Sequence, residues 1–109
     1  MADILGAFEQ SVLLSILRLG KEAYGRAILR SVQESLERDV AAGAVHATLE
    51  RLERKGLISS ALGSGTPIRD GRARRFYVIE ATGIRALNDA RKTFDHMWSG
   101  FRPPLKVKG

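Results

Sequence analysis

Two stretches of this 109-residue chain hold most of its chemical character. Val40–Ile58, VAAGAVHATLERLERKGLI, opens on small residues and closes on interleaved cations and acids. Further on, Arg69, Arg72, Arg74 and Arg75 fall within seven residues, opposed only by Asp70. Small side chains on one face of a helix let its backbone come close to a surface. The free N–H groups of a helix N-terminus suit a phosphate. Guanidinium groups on a loop carrying Gly63, Gly65 and Gly71 suit phosphate or minor-groove contact. The combined chemistry is that of a helix entering a major groove with a basic hairpin beside it.

Other chemistries fit poorly. The chain has no cysteine, so it offers neither disulfides nor thiolate ligands, and it suits a reducing compartment. His46 and His96 are its only histidines, and without a dense carboxylate cluster they suggest no metal site. Ser11, Ser15, Ser59 and Ser60 have no His–Asp partners nearby in sequence. The Gly63–Gly71 segment is not followed by the Lys-Ser/Thr pair or helix of a phosphate loop. Neither an enzyme nor a cofactor is expected.

The elements that must position these residues follow from periodicity. Phe8, Val12, Leu13, Ile16, Leu17 and Leu19 form a wide helical stripe ending at Gly20. Lys21–Ala23 is a connection. Tyr24–Leu36 reads as a second helix, with Ile28, Val32 and Leu36 spaced by four. After a turn at Glu37–Ala41, a third helix runs over Ala42–Lys55 and stops at Gly56. Its inward stripe is Val45, Leu49 and Leu52, so Gly43, Ala47, Glu50, Arg51 and Arg54 face outward, with His46 on the flank. Leu57–Leu62 and Arg74–Ile79 read as strands, the second alternating Arg75, Tyr77 and Ile79 against Arg74, Phe76 and Val78. Arg75 is a weaker candidate for an outside partner, since that face can turn it toward an acid.

Ala81–Ser99 is a fourth helix, and Phe101–Gly109 a basic tail. Ile84, Leu87, Arg91, Phe94 and Trp98 lie at a spacing that makes a seam for helix pairing. Phe94, Met97, Trp98 and Phe101 are more apolar bulk than a small core needs, which implies a partner. Packing back onto the first helix of the same chain is the competing explanation. The predicted fold class is therefore mainly α with a β-hairpin wing, a winged helix-turn-helix plus a C-terminal dimerisation helix. Residues 1–80 form the DNA-binding domain, and residues 81–109 the dimerisation helix and tail.

Composition agrees. Hydrophobic residues make up 44%, too many for a wholly disordered chain, and 109 residues suffice for one core. Formal net charge is +6, concentrated in the second half: residues 81–109 carry six basic groups against two acids. No apolar run nears the roughly 20 residues of a membrane span. Asp3 and the lack of a basic N-terminal run argue against a signal peptide, so the expected location is the cytoplasm.

At these residues the chain resembles the PadR family of bacterial transcriptional regulators. The match runs through Ala23-Tyr24-Gly25 and Ile28, then Val40, Gly43, Val45, Leu49, Arg51-Leu52-Glu53 and Gly56-Leu57-Ile58. It continues through Gly71-Arg72, Arg74-Arg75-Phe76-Tyr77 and Gly83 with Ala86-Leu87. The resemblance covers roughly residues 5–90. It implies a dimeric winged-helix repressor binding an operator, with Tyr24, Gly43, Ala44, His46, Ala47, Arg51, Arg54, Arg69, Arg72 and Arg74 facing the DNA. It also implies dimerisation through the last helix and response to a small aromatic or hydrophobic compound, with Phe94 and Trp98 as ligand contacts.

Three positions depart from the family pattern: His46 stands in place of Tyr, Ala41 of Ser and Glu80 of Thr. Losing the Ser removes a helix cap, an effect of about 0.5–2 kcal/mol, with Asp39 expected to substitute in part. The alternative is a winged-helix module whose last helix docks another protein.

Overall fold

The computed structural model describes residues 4–63 and 74–101. Arg69 and Arg72, the glycines at 65 and 71 and the tail over 102–109 lie outside the described residues. The helix α1 (Ala7–Leu19) buries Val12, Leu13 and Ile16 and leaves Leu14 and Leu17 exposed. Gly20, at φ 56°, ends it in a conformation that suits glycine, and a single 3-10 turn over Gly20–Glu22 follows.

The second helix, α2 (Gly25–Leu36), turns Ile28 and Val32 fully inward. Tyr24 is not in this helix, as the apolar spacing suggested. It is extended (φ −114°, ψ 166°) and forms an isolated antiparallel bridge with Phe76. The Tyr77 N–H also donates to the Ala23 carbonyl at 2.8 Å. Sheet pairing at Ala23–Tyr24 thus overrides the helical pattern. At the other end, Glu37 sits in the left-handed region at φ 53°. The Arg38 N–H reaches back to the Gln33 carbonyl at 3.3 Å, closing the turn.

The third helix, α3 (Ala42–Arg54), buries Val45, Leu49 and Leu52 as expected, and Thr48 with them. Its last carbonyls are satisfied by the turn at Gly56, φ 77°. The Leu57 N–H donates to Leu52 at 3.0 Å and the Gly56 N–H to Glu53 at 2.9 Å. Strands β1 (Ile58–Leu62) and β2 (Arg75–Ile79) pair antiparallel, from Ile58 opposite Ile79 to Leu62 opposite Arg75. Ile58 and Tyr77 turn into the core while Val78 faces out, the period-two pattern of a half-buried sheet.

The last helix, α4 (Ala81–Trp98), meets the body through small residues. Gly83 and Ala90 are buried, and Ala86 and Leu87 pack partly against the core. Its start is stitched to the α3–β1 corner. The Glu80 N–H donates to the Leu57 carbonyl at 2.9 Å, and the Thr82 hydroxyl to the Gly56 carbonyl at 2.6 Å. One core, drawn from all four helices and both strands, therefore fixes α3 and the hairpin in one frame.

Candidate nucleic-acid interface

Gly43, Ala47, Glu50 and Arg54 recur at intervals of four, three and four, so they form one row along α3, all exposed. Ala42, Ala44 and His46 flank that row and are exposed too. The beginning of α3 therefore presents almost no side-chain bulk. Nothing lies within 4 Å of where a Cβ on Gly43 would stand, and its φ is not positive. No packing among the described residues accounts for a glycine there. Ala41, the N-cap of α3, has no side chain that bonds the helix start. Among the described residues no side chain, Asp39 included, makes that bond, so the expected substitution by Asp39 is not seen.

His46 sits on the outer surface, and its Nε2 lies 2.6 Å from Glu50 Oε1, one turn along. This contact sets the imidazole beside the carboxylate of the outward row. Glu53, on the same flank as His46, accepts from the Ser60 hydroxyl at 2.9 Å, and that hydroxyl oxygen in turn accepts from Arg75 at 3.0 Å. Arg75 is thereby linked to an acid through one hydroxyl, the arrangement that made it a weaker candidate for an outside partner. Arg54 forms no ion pair among the described residues.

Arg51 behaves differently from Arg54. Its Nε lies 3.4 Å from Glu9 Oε2 on α1, and Lys55 Nζ lies 3.5 Å from the same oxygen. The other Glu9 oxygen accepts the Gly6 N–H at 3.2 Å. Burial alone would raise the Glu9 pKa. The Gly6 N–H, Lys55 and Arg51 outweigh it and hold the carboxyl below its ordinary value.

Where β2 leaves the loop of the hairpin, the Arg74 guanidinium carbon stands 4.3 Å from the Tyr24 ring centroid, within cation–π range. The Tyr24 ring meets Phe76 edge to face at 5.8 Å. Tyr24 therefore holds the base of the wing and presents its cation. Between α2, α3 and β2 lies an open cleft of about 550 Å³, bordered by Gly25, Arg26, His46 and Arg75 and floored by Tyr77. Burial raises the Tyr77 pKa; Arg75 opposes this while Glu53 and Glu50 add to it, so the phenol is neutral at ordinary pH. Arg26 escaped the sequence reading. Its one signal is its place directly after the Tyr24-Gly25 pair.

The seam residues of α4 divide. Ile84 and Trp98 are 43% and 50% exposed, Arg91 is exposed, and Leu87 and Phe94 are half-buried. A groove of about 430 Å³ runs between α1 and α4, lined by Leu14, Leu17, Ile84, Leu87, Arg91 and Phe94. Trp98 lies outside that lining. The described residues contain no group of His, Asp and Glu able to hold a metal, and no helix among them is long and apolar enough to cross a membrane.

Three helices with a short turn between α2 and α3, followed by an antiparallel hairpin, make a winged helix-turn-helix, a class of DNA-binding protein. The transcriptional regulator PadR-like family matches residues 13–89, and the chain belongs to that family. It is a DNA-binding transcriptional regulator. A PadR family transcriptional regulator from Eggerthella lenta is similar in structure, with a TM-score of 0.63 and 26% identity over 82% of this chain and 75% of that one. RosR from H. salinarum has a TM-score of 0.64 and 25% identity, covering 94% of this chain and 84% of its own. A PadR family regulator from Clostridium difficile R20291 shares the fold, with a TM-score of 0.64 and 23% identity over 84% of this chain and 91% of that one. No curated protein matches the sequence significantly. The family gives no support to the alternative of a protein-docking module.

Proposed function

We propose that the chain is a cytoplasmic repressor that binds a duplex operator as a homodimer, without catalysing a reaction. Residues 1–80 form its DNA-binding part, and residues 81–109 its pairing helix and tail. The start of α3 enters the major groove, where Gly43, Ala44 and Ala47 allow close approach and His46 borders the contact. Arg54 follows on the same row. Arg74, held on Tyr24, contacts the phosphate backbone beside it. The observation that carries this reading is Gly43. It lies on the exposed row of α3, and no described residue requires its smallness, which leaves the backbone open to close approach by a groove. The α1–α4 groove, with Phe94 on its wall and Trp98 near by, is open to a small aromatic or hydrophobic effector.

Titration against promoter fragments at several salt concentrations tests the reading. Log affinity is expected to fall steeply and linearly with log salt. Arg74→Ala is expected to weaken binding to every sequence and to reduce the slope by about 1, whereas Ala47→Gln is expected to change which sequence is preferred. Binding that is indifferent to salt and to Arg74 would overturn the assignment.

A further inference from the structure

We infer that Glu9 is a positioning residue that withholds Arg51 and Lys55 from DNA, setting how much of the recognition helix's positive charge is available to phosphates. The inference rests on the reading that the outward row of α3 faces DNA. Arg51 and Lys55 are four residues apart, so they lie on one line along α3, beside the row of Gly43, Ala47, Glu50 and Arg54. Both converge on a single oxygen of Glu9, at 3.4 and 3.5 Å.

An exposed ion pair is ordinarily too loose to hold anything in place. This one differs in two ways. The Glu9 side chain is only 15% exposed, and its second oxygen is fixed by the Gly6 N–H at the start of its own helix. The carboxylate is thus anchored before either cation arrives. Arg51 is held again on its own helix, donating to the Thr48 hydroxyl at 3.5 Å.

The remaining charges of α3 sharpen the effect. Glu50 has the His46 ring beside it, and Glu53 accepts from Ser60, whose oxygen in turn accepts from Arg75. Of the three cations between positions 51 and 55, Arg54 alone points along the outward row without an ion pair among the described residues. A recognition helix with one forward cation gains little from phosphates at random and leaves discrimination to close fit. Freeing two more would add attraction that carries no sequence information.

The test compares Glu9→Gln with wild type on a non-specific duplex. Glutamine keeps an oxygen for Gly6 but loses the charge. With two further phosphate contacts, the salt slope is expected to steepen by up to about 1.8, so the variant's advantage shrinks about tenfold between roughly 50 and 200 mM salt. Adding Arg51→Ala and Lys55→Ala to Glu9→Gln is expected to abolish the gain. The same pair in the wild-type background is expected to leave the slope nearly unchanged, well short of the loss from Arg54→Ala. Glu22→Gln, which removes an equal charge from the 3-10 turn, controls for net charge and is expected to give no such steepening.

An unchanged slope in Glu9→Gln, or an equal rise in Glu22→Gln, overturns the inference. Should Glu9→Gln fail to fold, the Arg51/Lys55 double variant decides: a loss as large as that of Arg54→Ala overturns it. Arg54→Ala also separates the two levels. If it weakens binding while Glu9→Gln changes nothing, only the role of Glu9 falls. If neither matters, the DNA-facing row itself is wrong.

Discussion

Gly83 shows how far one atom can matter in this chain. It is buried at the start of α4, where an added Cβ would meet the Leu57 carbonyl oxygen and, at 2.7 Å, the Ile79 Cγ1. The carbonyl belongs to the backbone of the α3–β1 corner and is already engaged by the Glu80 N–H. It cannot swing away as the end of a flexible side chain would. Gly83→Ala is therefore expected to destabilise the fold by about 1–3 kcal/mol, the usual effect of overpacking, seen as a lower urea midpoint at unchanged slope. Equal stability would mean that α4 slides along the hairpin more freely than its tight approach implies. Gly43 is the contrasting case, since alanine there meets nothing and is expected to be well tolerated by the fold.

Among the elements, α3 starts without a side-chain cap. Its N-cap is Ala41, whose carbonyl accepts from the Ala44 and Val45 N–H groups but whose side chain offers nothing to the first turn. Ala41→Ser is expected to raise stability by about 1 kcal/mol, measurable by urea denaturation, because a hydroxyl there can accept from an orphan N–H. No gain would mean that the extended backbone at Ala41 aims the hydroxyl elsewhere. The extents of these elements were largely legible beforehand. Local rules govern them: an apolar stripe every three to four residues, and a glycine at 20 and at 56 where the chain must turn left-handed. What was not legible depends on contacts between residues far apart in sequence. Tyr24 looked helical because its partner, Phe76, comes 52 positions later. Arg51 looked free because Glu9, which holds it, is 42 positions earlier. Of the residues proposed to meet DNA, the small set on α3 follows from periodicity, whereas the place of Arg26 beside the cleft and the stacking of Arg74 on Tyr24 depend on the cleft and the bridge formed by distant segments.

Taken as one body, the molecule commits α1 three ways. One side enters the core, the N-terminal turn grips α3 through Glu9, and Leu14 and Leu17 are left open beside α4. A largely apolar groove of this kind, with Met97, Trp98 and Phe101 also exposed around the end of the chain's last helix, is suited to a second copy of the chain. Light scattering at micromolar concentration is expected to give twice the 12.0 kDa chain mass. Phe94→Glu combined with Trp98→Glu is expected to give monomers that lose operator affinity. A monomeric wild type would remove the symmetric half-site arrangement. The position of Trp98 makes that equilibrium directly observable. It is the sole tryptophan of the chain, half in water at the end of α4, so the protein's indole emission comes from a single known place. Dilution of the wild type should shift that emission to longer wavelength as the ring becomes wetter, giving an optical readout of association without any attached dye.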